Sequence, residues 1–252
     1  MIDFKEIYFI RDGKFILKNI NLHIKEDLFI LGPNGSGKST LISLLKAYNL
    51  PSRGNLYVFS KKFGRDNWSL VKKDIRIVSS VLNKFRASLS KKSVFDIVLS
   101  GLSGSIGISQ SPSEDEKNKV YDFLKGFDFY HKKDEIYKNL SQGEAQKTMV
   151  LRALIGNPKI LILDEPCLGL DIREKTKLLR FLKDLDSNLI YISHDISEIL
   201  KRFKHLAMLK DGEIFLEGRR EDILSSDNLS RLFDMDLRLL SNKDESLMIE
   251  VL

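Results

Sequence analysis

Residues 32–40, Gly32-Pro33-Asn34-Gly35-Ser36-Gly37-Lys38-Ser39-Thr40, constrain this chain more than any other segment. They fit the pattern G-x-x-x-x-G-K-[ST], and their flanks give the match its meaning. Before them lies Leu28-Phe29-Ile30-Leu31, a short apolar run bounded by charges and glycine, as expected of a buried parallel strand. After them, Leu41-Ile42-Ser43-Leu44-Leu45 opens a helix. A strand, a glycine loop and a helix in that order make a phosphate cradle. The glycines let successive N–H groups turn inward, and the helix adds the positive end of its dipole. Lys38 is placed to reach β- and γ-phosphates, and the Ser39 hydroxyl to bind Mg²⁺. A plain glycine turn between strand and helix would have no use for that lysine and serine. Kinases, GTPases and motors all share such a cradle.

The remaining pattern is that of an α/β chain. Phe4, Ile7 and Phe9 lead to a turn at Gly13, and Phe15, Ile16, Leu17, Ile20, Leu22 and Ile24 continue the antiparallel alternation. Residues 93–99 and 116–127 have helical spacing, separated by a glycine-rich stretch at 101–107 and a polar loop at 109–113. Strand and helix then alternate again: 160–163 as a buried strand, 173–185 as a helix, 189–192 as a strand. An Asp211-Gly212 turn between 206–209 and 213–216 reads as a hairpin. The length of 252 residues suits one domain with an inserted subdomain. The net charge of +6 is spread over scattered lysine pairs, and no Lys/Arg run reaches nucleic-acid cluster size, so no nucleic acid is expected as a partner. No apolar run is long enough to span a bilayer, the first residues lack a secretory pattern, and Cys167 is the single cysteine. A cytoplasmic location is the expectation.

Three further motifs carry chemistry. Residues 160–165, Ile-Leu-Ile-Leu-Asp-Glu, hold two carboxylates at the end of a strand, the edge where open α/β sheets bind ligands. Asp164 suits Mg²⁺ through water, and Glu165 suits polarising a water that attacks the γ-phosphate. Leu140-Ser141-Gln142-Gly143-Glu144 opens the helix that follows, and reads either as an N-cap or as a second anion site. His194 ends the strand at 189–192.

Together these residues resemble the nucleotide-binding subunits of ATP-binding cassette (ABC) transporters. Residues 32–40 resemble Walker A, 160–165 Walker B, 140–144 the signature, Leu170-Asp171 the D-loop, and His194 the switch histidine. The resemblance implies a P-loop NTPase (RecA-like) α/β core with an N-terminal antiparallel β subdomain and an inserted α-helical subdomain. It implies a single ABC ATPase domain over 1–252: 1–84 the β subdomain with the phosphate loop, 85–140 the helical subdomain, 141–220 the rest of the core, and 221–252 a C-terminal extension. It also implies a head-to-tail homodimer, or paired cassette, that sandwiches two ATP molecules. Each ATP would lie between one phosphate loop and the partner's Ser141, Gly143 and Asp171, with hydrolysis driving a separate membrane permease from the inner face of the membrane. Residues 75–80, 96–101, 104–107, 140–144 and 164–167 further resemble the branch of molybdate- and iron-type cassettes, which points to import of a metal, metal oxyanion or siderophore.

The sequence departs from the family pattern in three places. Ser80 stands where most members have a Mg²⁺-touching glutamine that couples to the permease. Arg11 stands nearest the place of the adenine-stacking aromatic; a guanidinium plane can also stack on a base. Gln142 and Glu144 replace Gly and Gln in the signature. Ser80 and the basic balance motivate an alternative, a soluble ABC-type ATPase acting without a permease, regulatory or nucleic-acid-associated. A P-loop kinase would leave the signature and His194 unexplained. Replacing Lys38 by Ala is expected to weaken ATP binding roughly tenfold to a hundredfold, by loss of charge-assisted phosphate contacts. Unchanged affinity in a nucleotide titration would show that the loop is not the nucleotide site.

Overall fold

A computed structural model describes residues 1–79, 86–103, 112–242 and 247–252. Along the chain run β1 (Ile2–Arg11), β2 (Lys14–Ile24), β3 (Leu28–Leu31), α1 (Lys38–Leu45), β4 (Arg53–Val58), β5 (Lys61–Lys62), α2 (Trp68–Asp74) and β6 (Ile75–Ser79). Then follow α3 (Arg86–Leu89), α4 (Val94–Ser103), α5 (Glu114–Gly126), α6 (Gln142–Leu154), β7 (Ile160–Asp164), α7 (Ile172–Lys183) and β8 (Asn188–Ser193). The last elements are β9 (His205–Lys210), β10 (Glu213–Arg219), α8 (Arg220–Ile223), α9 (Ser226–Phe233), β11 (Leu237–Ser241) and β12 (Leu247–Val251). They form two compact units, one of residues 1–72, 162–165 and 188–252, the other of residues 73–161 and 166–187.

The first unit contains an antiparallel sheet in the order β2-β1-β4-β5. Its apolar alternation is not strict. The β1–β2 register slips between Phe4 and Ile7, where Glu6 takes a left-handed φ of 51°. This bulge inserts one residue, so Ile2, Phe4, Ile7 and Phe9 all stay buried despite their uneven spacing. The same unit carries β10, β9, β3 and β8 in that order, with residues 162–164 of β7 following β8. β3 is parallel to both β8 and β9, and all four of its residues are buried, as its continuous apolar run requires. Phe29 stacks on Tyr191 with centroids 5.1 Å apart, and Phe203 meets both rings edge-on. The Tyr191 hydroxyl donates to Glu198 at 2.8 Å, so this aromatic core leaves its buried polar tip bonded.

In the second unit, α4, α5 and α6 bury Val94, Val98, Val120, Leu124, Leu151 and Ile155 in one cluster. The i, i+4 pairs Val94/Val98 and Val120/Leu124 place each apolar stripe on one helix face. Ser113 starts α5 with a reciprocal capping box to Glu116. The glycine at 101, expected to begin a separating stretch, is instead inside α4, which continues to Ser103; residues 104–107 lie outside the described residues. A Cβ on Gly101 would overlap the Arg152 carbonyl oxygen of α6, so this glycine permits a close helix crossing. Gly126, at the exposed end of α5, has nothing within 4 Å of the place a Cβ would take. The same substitution therefore has opposite signs. Gly101→Ala is expected to lose about 1–3 kcal/mol and Gly126→Ala to gain about 0.5–1 kcal/mol, measured by urea unfolding.

Candidate nucleotide site

The phosphate loop lies between β3 and α1, and two of its glycines are sterically required. A side chain at Gly32 would strike the Leu209 carbonyl of β9 and the Ser36 hydroxyl. Gly37, the N-cap of α1, has a φ of 103° and faces the Ile16 carbonyl and Leu17 side chain of β2. The Asp211-Gly212 turn holds the loop from behind: the Gly212 N–H donates to the Ser36 carbonyl at 3.1 Å, and the Lys18 N–H donates to the Gly212 carbonyl at 2.8 Å. The buried Ser36 hydroxyl has no hydrogen-bond partner among the described residues. A buried polar atom of that kind fits a loop shaped around an anion. Pro33, Asn34, Gly35, Ser39 and Thr40 complete the loop and the first turn of α1, with Asn34, Gly35 and Ser39 exposed.

Lys38 is 6% exposed. Its Nζ donates to the Gly32 carbonyl at 2.7 Å and the Pro33 carbonyl at 2.9 Å, and lies 3.8 Å from Glu165 Oε1. Burial pushes its pKa down, and the charges of Glu165 and Asp164 act against that shift. Asp164, the last residue of β7, is buried, and Lys46 of the same unit also feels its charge. Glu165 turns out of the strand with a left-handed φ of 51°, while its N–H still donates to the Ile192 carbonyl of β8 at 2.9 Å. Such a backbone costs on the order of 1 kcal/mol for a residue with a Cβ, and it aims the carboxylate at Lys38 and His194. Glu165 Oε2 is 2.8 Å from His194 Nδ1. Burial raises the Glu165 pKa, and the charges of His194 and Lys38 oppose the rise.

Lys38, Asp164, Glu165 and His194 thus meet in the first unit. Ser141, Gly143 and Asp171 lie in the second. Ser141 caps α6, its Oγ accepting the Glu144 N–H at 3.2 Å while Glu144 accepts the Ser141 N–H at 2.9 Å. Asp171 caps α7 by accepting the Glu174 N–H at 2.8 Å. The N-cap reading of residues 140–144 is therefore realised as a reciprocal capping box. Ser80 lies outside the described residues. Arg11 packs its guanidinium 5.7 Å over the Phe9 ring. Sequence reasoning passes over Phe15, a half-exposed ring one residue before the Ile16 carbonyl that touches Gly37. Its signal is an aromatic on the outward face of a strand next to the loop. Among the described residues no three His, Cys, Asp or Glu side chains form a metal cluster, and no helix is long and apolar enough to cross a membrane.

Comparison with known proteins gives a consistent picture. The family model described as "ABC transporter" matches residues 17–168. The uncharacterized ABC transporter ATP-binding protein YlmA of Bacillus subtilis is 35% identical over 242 residues, covering 93% of this chain and 91% of that protein. The structure of cbiO1 from Clostridium perfringens, part of the ABC transporter complex cbiONQ, superposes with a TM-score of 0.76 at 28% identity, covering 91% of this chain and 92% of that one. The dimeric post-hydrolysis structure of the ATP-binding cassette MJ0796 bound to ADP and Pi gives a TM-score of 0.70 at 26% identity, covering 87% of this chain and 98% of that one.

Because burial holds the Glu165 pKa above the ordinary 4.5, folding favours its neutral form more than the unfolded chain does. Its contribution to stability is present below pH 4.5 and is lost as pH rises through the raised value. Glu165→Gln cannot titrate, so its melting temperature relative to wild type is expected to climb across that window in the nucleotide-free protein. A difference independent of pH would show that burial does not control this carboxyl.

Proposed function

Because the chain belongs to the ABC transporter family as an ATP-binding ATPase cassette, we propose that two copies close head to tail on two ATP molecules and drive a membrane permease. The single observation that carries the catalytic half is the chain of contacts from Lys38 to Glu165 to His194. Lys38, held on loop carbonyls, supplies a desolvated charge for the β- and γ-phosphates. Glu165 accepts a proton from the water that attacks the γ-phosphorus as the bond to the β-phosphate oxygen breaks, leaving ADP and phosphate. His194 holds the carboxylate through Nδ1 and fixes its direction. Phe15, or Arg11, provides the surface for the adenine ring.

Mg²⁺ fits the residues present. The buried Asp164 carboxylate and the Ser39 hydroxyl would hold it, an oxygen donor pair suited to a hard cation that needs only one or two protein groups. When bound it neutralises charge on the phosphates.

For the composite site, Ser141 and Gly143 present the N-terminal end of α6 to the γ-phosphate on the partner copy, with Asp171 alongside. Leu168 and Ile172, large apolar side chains that flank Asp171, are exposed in the single chain, which supports a face covered by a second copy. The dimeric MJ0796 cassette with ADP and Pi is a precedent of the same kind. We place the assembly at the inner face of the membrane with a permease. The central segments at 75–80 and 96–101 favour import of a metal, metal oxyanion or siderophore. Glu165→Gln is expected to lose about 10²–10⁴-fold in turnover, to keep ATP binding, and to form an ATP-dependent dimer in sedimentation velocity. Unimpaired hydrolysis would remove Glu165 from the base role. ATPase activity stimulated by nucleic acid, with no membrane protein co-purifying, would favour a permease-free ATPase.

A further inference from the structure

Glu174, in the first turn of α7, is a carboxylate the catalytic reading does not use. Its backbone N–H is tied to Asp171, its Oε1 lies 3.2 Å from Lys177 Nζ, and its Oε2 accepts from Ser141 Oγ at 3.4 Å. The side chain is 18% exposed. A Cβ on Gly143 would overlap Glu174 Oε2 and fall 3.0 Å from its Cβ, so in this arrangement glycine at 143 leaves room for the acid against the first turn of α6. The N-terminal end of a 13-residue helix, with its unpaired N–H donors, thus already faces an internal anion.

Two carboxylates border this helix end, and they differ. Glu144 accepts the Ser141 N–H and is 2.9 Å from Lys132. Burial pushes its pKa up, but the hydrogen bonds from Lys132 and Ser141 outweigh that and hold it below the usual range. Its charge is committed. Glu174 faces Lys177, whose side chain is more than half exposed and therefore screened. Ser141 Oγ already accepts the Glu144 N–H, and its single proton can go to one acceptor at a time. Glu174 and an incoming phosphate oxygen compete for that proton and for the same positive helix end.

We propose that Glu174 is a positioning residue that sets the ATP requirement for dimer closure: its carboxylate holds the Ser141 hydroxyl until a phosphate displaces it. This rests on Ser141 and Gly143 being the phosphate acceptors proposed above. The charge opposes the arriving phosphate, so removing it eases closure, while a charge-retaining replacement does not.

The test is a titration of the full chain with Mg²⁺ and an ATP analogue carrying a β–γ imido bridge, followed by sedimentation velocity, for wild type, Glu174→Gln, Glu174→Asp and Ser141→Ala. ATPase kinetics on the same proteins provide the second readout. Glu174→Gln is expected to reach half-dimer at roughly fivefold lower analogue concentration, the scale of one charge at a helix end. Its ATPase KM falls with kcat little changed, and Glu174→Asp stays near wild type. Ser141→Ala raises the analogue requirement. If Ser141→Ala raises it but Glu174→Gln leaves it unchanged or higher, the role of Glu174 is overturned and the signature reading stands. If Glu174→Asp behaves as Glu174→Gln, shape rather than charge is responsible and the proposal is overturned. If neither Ser141→Ala nor Glu174→Gln changes dimerisation, the signature reading fails and takes the proposal with it.

Discussion

The burial of one ammonium group organises the first unit. Lys38 is almost wholly removed from water, and an unpaired charge there would cost several kcal/mol. The loop meets that cost with the carbonyls of Gly32 and Pro33, and the strand end meets it with Glu165 and Asp164. Those carbonyls can turn inward only because Gly32 leaves room for the Leu209 carbonyl and Gly37 adopts a φ closed to most residues. The Gly212 turn then locks the loop to β2. Strand order, glycine placement and acid placement answer to a single electrostatic demand.

That demand also explains the strain at Glu165. Its N–H stays in register with β8, so the sheet is not broken, yet its left-handed backbone swings the carboxylate away from the strand direction. There it lies between a buried cation and His194. Partial burial raises its pKa, which makes it a better proton acceptor than a solvated glutamate. Strain, burial and pairing thus coincide at one residue, and they support the base role proposed for it.

The second unit solves a related problem at a helix end. The first turn of α6 has donors without intrahelical partners, and Ser141 with Glu144 forms a capping box. Glu174 of α7 then adds a carboxylate in the space that Gly143, lacking a Cβ, leaves open. Electrostatic attraction of anions to this end is a property of the helix, and which anion occupies it follows from the neighbours. Glu144 is paired with Lys132, whereas Glu174 accepts from the Ser141 hydroxyl and lies beside Lys177.

Much of this was legible in the sequence because it depends on local order. The phosphate loop, the acidic pair ending an apolar strand, the histidine ending the next strand and the Ser-x-x-Glu helix start are each short patterns whose chemistry survives without knowing the fold. Three features were not legible, since each depends on which backbone passes nearby. The uneven spacing of Phe4, Ile7 and Phe9 became regular only through a bulge at Glu6. Gly101 read as a helix end and proved to be a helix crossing, because the Arg152 carbonyl lies where its Cβ would be. Glu174, three residues beyond Asp171, gave no signal of its own until α7 laid it on the start of α6. Residue type and spacing determined by themselves what each segment could bind; only tertiary packing decided which charges face one another, because Coulomb interactions follow distance in space and not separation along the chain.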